Sequence, residues 1–454
     1  MDLMPEPESL ADLLADGLFI DGDWVETKDQ DPDGEVRLIQ LADVGDGVFR
    51  DRSSRFLTMQ KAKELRCTFL KPGDVLVARM PEPLGRACIF PGINQQAVTV
   101  VDVCILRPNP SRAREDWLSY AINSPEFRAS MQQYVRGTTR QRISRTNLGT
   151  LEVCVPELEA QANLASLLDK AALLRQSAKS HLGAANKATE RFRQAVLEEA
   201  CSGRLTADWR EKHEVVQRAD ELVASITRDR MRRIGRRFKE AVLPEVETPI
   251  PETWTWTTVG ALVDVATGAT PLRKRNDYYN GTIPWVTSGA VNAGLITEAS
   301  EFITELAIKE TNAKVFPTGT LLVAMYGEGQ TRGRVAELCI PAATNQAVAA
   351  LLFDDANEQL RPYLRVFFLE NYERIRQLSF GGVQPNLSLG VIRDTVLPLP
   401  PYEEQVEIVR RIVQLTTVLE EIGVRIASCT RRVERTSQAI LFKAFRGELT
   451  GTGG

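Results

Sequence analysis

The side chains in this sequence whose types suit chemistry are arginines, amides, hydroxyls and tyrosines, and the chemistry they suit is recognition. Arg273, Lys274 and Arg275 stand together, with Tyr278 and Tyr279 just behind them. Thr287, Ser288, Tyr326, Gln330, Arg332 and Arg334 follow. The first half offers Gln40, Arg50, Arg52, Arg79, Arg86, Arg140 and Arg142. An arginine can bridge the major-groove edge of guanine through two N–H groups, and a glutamine or asparagine can bridge adenine. All of these are therefore candidate DNA contacts. Taken singly, each is more commonly a solvated surface residue or a phosphate anchor than a base reader.

Catalytic patterns are missing. No GxxxxGK[ST] phosphate loop, no GxSxG elbow and no Asn-Pro-Pro-aromatic run occurs. Gly327-Glu328-Gly329 lacks the strand and the ribose-binding acid of a dinucleotide site. The Glu26-Thr27-Lys28 triplet is similar to nuclease triplets only as short sequences often are by chance. Seven cysteines, an odd number without CxxC spacing, argue against a disulfide framework and against zinc. Two histidines, His181 and His213, lie in or beside expected helices and offer no metal or general-base site.

The net charge of −4 does not by itself point to DNA, but its distribution does. Residues 127–151 hold five arginines and no acid, whereas acids gather in the first 35 residues and in the helices. A chain of 454 residues exceeds one core and suggests two to four domains. No apolar run reaches the roughly 18 residues of a membrane span. The opening is acidic and proline-bearing, unlike a secretory signal, so a cytoplasmic location is expected.

The elements that must position these residues are duplicated. Residues 137–206 align with 381–450 at a single offset of 244 without a gap. Ser144 meets Ser388, Pro156 meets Pro400, Gln161 meets Gln405, Gly203 meets Gly447 and Thr206 meets Thr450. Upstream the likeness is weaker. Residues 71–78 resemble 317–324, and Asn94-Gln95 resembles Asn345-Gln346, with an offset that drifts as loop lengths change. Amides shared by both copies suit a structural or phosphate role better than sequence discrimination.

The well-kept part is helical. Ile408, Ile412, Leu415, Leu419, Ile422 and Ile426 recur in alternating steps of four and three, as in a coiled-coil seam. Leu164, Leu168, Ala171, Arg175, Ala178 and Leu182 hold the same places in the first copy. Two such helices, each about 60 Å long, can pair antiparallel. Prolines 156, 400 and 401 mark their starts, and Gly203 and Gly447 their ends. The divergent part alternates short β-branched runs with turns and reads as α+β. Helices are expected over 115–134 and 360–378, and a charged linker helix over 220–239.

In combination these landmarks resemble the specificity (S) subunits of type I restriction-modification systems, the HsdS family. Pro251-Glu252-Thr253-Trp254, Gly268-Ala269-Thr270-Pro271 and Ile283-Pro284-Trp285-Val286 are similar to successive landmarks of a target recognition domain. Gly381-Gly382-Val383-Gln384-Pro385-Asn386-Leu387 and the Pro400-Pro401-Tyr402-Glu403-Glu404-Gln405 run resemble its end and the entry to the conserved helix. Ala444-Phe445-Arg446-Gly447-Glu448-Leu449-Thr450 resembles the helix's terminal signature. The first copy lacks the Pro-x-x-Trp and Gly-x-Thr-Pro landmarks and has Arg140-Gln141-Arg142 where the second has Gln384-Pro385-Asn386.

The resemblance implies an α+β fold of two target recognition domains with mixed, curved sheets. Each would be followed by a long conserved helix, the two helices pairing as an antiparallel coiled coil. The expected division is recognition domain 1 over 1–155, helix 1 over 156–205, a charged helical linker over 206–250, recognition domain 2 over 251–398, helix 2 over 399–447 and a tail over 448–454. It further implies a non-catalytic chain that reads a bipartite, asymmetric target in double-stranded DNA, one half-site per domain. Two methyltransferase subunits and motor-nuclease subunits would join it, and S-adenosylmethionine, ATP and Mg²⁺ would be used by those partners and not by this chain. A methylation-only complex without the nuclease, and a coiled-coil adaptor that binds protein, are the alternative readings.

Overall fold

The computed structural model describes residues 6–81, 84–134, 141–235, 243–327, 330–377, 387–446 and 448. The fold is α+β and divides into two compact units, 1–184 with 426–454, and 185–425. Both long helices run 44 residues, Leu158–Cys201 and Tyr402–Phe445, or about 66 Å each at 1.5 Å per residue. Each helix contributes one end to each unit.

Unit 1 is built on a four-stranded antiparallel sheet in the order Leu18–Asp21, Val103–Arg107, Val75–Ala78, Ala87–Ile89. A second sheet orders Phe56–Leu57, Val36–Ile39 and Ala97–Thr99, the last pair parallel. Val75, Val77, Cys104 and Leu106 face a core completed by Trp117, Leu118, Ile122, Leu164, Leu168 and Ala444. Strand residues at alternate positions (Leu76, Ala78, Val103, Ile105) pack on the other side, as a sheet buried on both faces requires. The expected 115–134 helix is two helices, Glu115–Asn123 and Pro125–Gln132. Ser124 breaks it: its hydroxyl accepts from Phe127 N at 3.2 Å as an N-cap, and Pro125 stands at the first helical turn.

Unit 2 repeats the plan. Its larger sheet orders Asp264–Thr267, Val348–Leu352, Leu321–Ala324, Val335–Leu338 and Leu295–Ile296. Its second sheet orders Glu301–Ile303, Tyr279–Val286, Ala342–Thr344 and Val315–Phe316. The expected 360–378 helix resolves into a short 3₁₀ turn, Arg361–Glu370 and Tyr372–Gln377, parted at Asn371. The linker helix is Ala219–Ile234, ended by Gly235 at φ 59, and residues 236–242 lie outside the described set.

The helix ends explain the gapless half of the repeat. Buried Gln161 donates from Nε2 to Pro156 O at 2.8 Å and Arg112 O at 3.0 Å, and its Oε1 accepts from Arg114 N at 2.8 Å. Gln405 donates to Pro400 O at 2.9 Å. In both copies the glutamine thus ties the helix start to the carbonyl of the proline before it. In unit 1, Ala171, Arg175 and Ala178 line a groove opposite Cys429, Val433 and Thr436, and Lys179 pairs with Glu434 at 2.7 Å. There the early part of one helix meets the late part of the other, as antiparallel pairing requires. In unit 2, Leu197, Ala200 and Cys201 share a core with Ile408. Gly203, at φ +80, ends the first helix, and a Cβ there would lie 2.5 Å from Pro251 Cγ. Gly447 lies outside the described residues.

Unit 2 also accounts for the Pro-x-x-Trp landmark. Fully buried Glu404 accepts from Trp254 Nε1 at 2.8 Å and Thr206 Oγ1 at 2.6 Å, and it pairs with Arg210. The Trp254 ring stands edge-on to Tyr363, whose hydroxyl donates to Pro398 O at 2.5 Å. One carboxylate therefore fastens the linker, the domain entry and the second long helix together. At the place of Glu404 the first copy has Ala160, and it lacks the tryptophan as well.

Candidate nucleic-acid interface

In unit 2 the loop after Asp264–Thr267 carries the cationic cluster. Gly268 starts it because nothing larger fits: a Cβ would lie 1.8 Å from Thr344 O. Thr270 Oγ1 donates to Gln346 Oε1 and Tyr279 Oη to Pro271 O, both at 2.5 Å. Arg273 pairs with Glu301 at 2.6 Å and lies 4.9 Å over the Tyr279 ring and 5.0 Å over Trp285. Arg275 pairs with Asp277 at 2.6 Å and Glu310 at 3.4 Å and covers Tyr278 at 4.5 Å. Hydrogen bonding to Glu301 and Asp277 holds both guanidinium pKa values above the ordinary arginine value. Among the described residues Lys274 has no ion-pair partner.

The cluster is thus partly self-neutralised, which sequence could not disclose. Exposed pairs of this kind are worth about 0–1 kcal/mol, so a phosphate can replace a carboxylate at small cost. Tyr278 is a correction. It is 6% exposed, and its hydroxyl donates to Glu310 at 2.8 Å, so it braces Arg275 and offers no reading surface. Arg334 donates to Gln330 O and Oε1, each at 3.1 Å, and Tyr372 Oη reaches Gln330 O at 2.6 Å, which fixes that turn. Arg332 is half-buried in the same turn, and Tyr326 is exposed. Thr287 and Ser288 begin a 3₁₀ turn in which the Thr287 side chain makes no capping bond.

In unit 1, Arg79 and Arg86 correct the expectation most clearly. Arg79 is 2% exposed, pairs with Asp21 at 3.1 Å and donates to the carbonyls of Val101 and Ile143. Arg86 is 6% exposed and donates to Val44 O at 2.6 Å, Leu41 O at 2.7 Å and Met80 O at 3.4 Å. Burial lowers its pKa from the ordinary arginine value. Both hold backbone in place beneath the surface and cannot present guanidinium groups to DNA. Arg50, Arg52 and Arg142 are exposed, and Gln40 is half-buried. Arg140 lies outside the described residues.

Strand register brings the two units' candidates to one common place in the fold. Leu38 pairs with Val98 as Trp285 pairs with Ala343. Val100 N donates to Ile39 O as Asn345 N donates to Val286 O. Arg79 N donates to Asp102 O as Met325 N donates to Ala347 O. Gln40 therefore corresponds to Thr287 and Met80 to Tyr326. Asn345-Gln346 falls on Val100-Val101, not on Asn94-Gln95, which precedes the strand Ala97–Thr99. The drifting offset between the amide pairs came from aligning different turns.

Gly22 is the counterpart of Gly268. A Cβ at Gly22 would lie 2.3 Å from Val100 O. The close approach survives in unit 1 although the Gly-x-Thr-Pro sequence does not. The loop it opens, Asp23 to Lys28, forms a wall of a cleft of about 1150 Å³ that also includes Gln40, Met80, Asp102 and Arg142. Glu26 caps the turn Thr27–Asp29 and pairs with Lys28 at 2.5 Å, which gives the Glu-x-Lys triplet a local, turn-forming role. Burial pushes the Asp23 carboxyl up to about 6, against the bond it accepts from Thr68 N at 3.0 Å. Sequence reading missed Trp24, which is 68% exposed on this wall. Among the described residues no group of three or more histidines, cysteines or acids could hold a metal, and no helix is long and apolar enough to cross a membrane.

The two units share one strand plan and carry different loops at matching sheet ends. Residues 251–426 match the family model described as the type I restriction modification DNA specificity domain. The specificity subunit of the type I restriction enzyme EcoDI from Escherichia coli is 26% identical over 317 residues, 69% of this chain and 66% of that protein. The match thus spans just under two thirds of that relative's length. A solved chain described under complex assembly and conformational transition of the type I R-M system superposes with a TM-score of 0.69 at 18% identity, covering 98% of both chains. The crystal structure of the HsdS subunit from Thermoanaerobacter tengcongensis gives 0.53 at 16% identity, covering 98% of this chain and 95% of that one. Residues 251–426 thus match the type I specificity domain, and the fold of the chain is like that of the solved HsdS subunit.

Proposed function

We propose that this chain is the DNA-reading, non-catalytic subunit of a type I restriction-modification complex. Each recognition domain reads one half of a bipartite, asymmetric target, and the paired helices fix the distance between the halves. The observation that carries this reading is the division within the repeat. The helices and the strand frame are common to both units, while the loops at matching sheet ends carry different side chains. Two similar helical platforms suit two copies of one methyltransferase subunit; unlike loops suit two different half-sites. S-adenosylmethionine belongs to those partners, which would extrude the target adenine from the stack. ATP and Mg²⁺ belong to motor-nuclease subunits where the complex cleaves DNA.

Binding of the assembled methyltransferase complex to its target duplex tests this. The logarithm of the association constant should fall linearly with the logarithm of salt, by about 0.9 for each phosphate neutralised. Substituting alanine for Lys274 should reduce that slope by about one and weaken all sequences alike. Salt-insensitive binding, or a complex that ignores DNA, would instead favour the protein-binding adaptor.

A further inference from the structure

The cleft in unit 1 has not been given a ligand, and three observations bear on what it takes. The first is its place. Its walls are the loop opened by Gly22, the turn after Ile39 and the residue after Arg79. Strand register makes these the counterparts of the loop opened by Gly268, of Thr287 and of Tyr326, where unit 2 gathers its exposed polar and aromatic side chains.

The second observation is its charge. Among the described residues, Asp23, Glu26 and Asp102 line the cleft against Lys28 and Arg142. Each cation already stands beside an acid, Lys28 by Glu26 at 2.5 Å and Arg142 by Asp102 at 3.5 Å. Among the described residues the cleft thus carries no surplus of cations to hold a phosphate. It suits a neutral base edge, and its carboxylates can accept from the exocyclic amino group of cytosine while Gln40 can bridge adenine. Exposed arginines, Arg50 and Arg52, stand next to it instead. Fully buried Asp43 accepts from Gln40 N at 2.7 Å, Arg52 N at 2.6 Å and Ser53 N at 2.7 Å, tying the exposed Arg50–Arg52 turn to the cleft rim.

The third observation is Trp24. The indole is exposed to 68% on the wall of the cleft, and among the described residues its hydrogen bond is the 3.4 Å one to Glu26. Such a ring suits contact with the apolar part of a base, as aromatic side chains at nucleic-acid sites do.

We propose that this cleft is the base-reading site of the first recognition domain, taking the major-groove edges of base pairs in one half-site. Trp24 supplies the apolar contact and Gln40 the amide contact. The proposal rests on the DNA-reading function above and adds to it which residues of unit 1 determine specificity.

The test uses the full chain co-expressed with its methyltransferase subunit, with methylated adenines mapped across the host genome. Trp24→Ala, Trp24→Phe and Gln40→Ala are compared with the unchanged chain. A lost base contact is worth about 1–3 kcal/mol, which is roughly 5- to 150-fold. Trp24→Ala and Gln40→Ala should each relax or alter one or two positions in a single half-site by about fivefold or more, leaving the other half-site as an internal control; Trp24→Phe should retain most discrimination. Because Trp24 is exposed and Gln40 only half-buried, folding is not at risk from both substitutions at once, and co-purification with the methyltransferase checks assembly. An unchanged motif in both alanine variants overturns the proposal, and so does a uniform loss across all sites, which marks a phosphate contact. If the unchanged chain directs no methylation motif at all, the DNA-reading function fails first, and the two failures are told apart.

Discussion

Replacing Glu404 by alanine should destabilise unit 2 by about 3–5 kcal/mol, the usual cost of removing one partner from a buried ion pair. The carboxylate is fully buried and holds three donors: Arg210, the Thr206 hydroxyl and the Trp254 indole N–H. Alanine leaves the Thr206 hydroxyl and the Trp254 indole N–H without this acceptor, strips Arg210 of its carboxylate partner while its bond to Gly203 O remains, and opens a void beside Trp254. Glu404→Gln keeps the volume but replaces a charge with an amide that brings its own N–H groups, so an intermediate loss is expected. Urea unfolding followed by tryptophan fluorescence reads the change. A shift worth less than about 1 kcal/mol would mean that the linker and domain entry are not fastened through this residue.

The second large effect is expected at Arg86. Alanine there should cost about 3 kcal/mol or more, since bonds from a charged group contribute roughly 1.5–3 kcal/mol each and three carbonyl acceptors, Leu41, Val44 and Met80, lose their donor. Arg86→Lys should not restore stability, because one ammonium on a flexible stem cannot span three carbonyls. The measurement also separates two roles. A phosphate contact removed by alanine would leave the unfolding midpoint alone and lower the salt slope of DNA binding by about one. A buried brace lowers the midpoint and leaves the slope of the folded complex unchanged.

What sequence could disclose followed from how each feature is encoded. The long helices were legible because a seam in steps of four and three, bounded by proline and glycine, is a local pattern repeated at a fixed offset. The kept glutamines were visible as a repeat, but their bonds to Pro156 and Pro400 carbonyls were not. The break at Ser124 was missed although Ser-Pro is a capping signal, because the apolar periodicity runs through it. Gly22 was missed as the partner of Gly268 because only the close backbone approach is shared, not the following residues. Arg79 and Arg86 read like any surface arginine; burial at strand ends depends on loops far away in the chain. Trp24 gave no signal beyond its type, since exposure on a cleft wall is a property of three dimensions. The self-neutralised cluster at Arg273 and Arg275 was hidden for the same reason, with two of the acids beside it coming from Glu301 and Glu310.

The central claim is that two different readers stand on one repeated frame. Its most direct test is to express the chain with a type I methyltransferase subunit in a host free of background adenine methylation, and to map methylated adenines genome-wide. The mapping is done for the unchanged chain and again with residues 251–398 exchanged for another recognition domain. The account predicts a bipartite, asymmetric motif with a fixed spacer, of which the exchange rewrites one half and leaves the other half and the spacing intact. A continuous motif, or an exchange that rewrites both halves together, would contradict it.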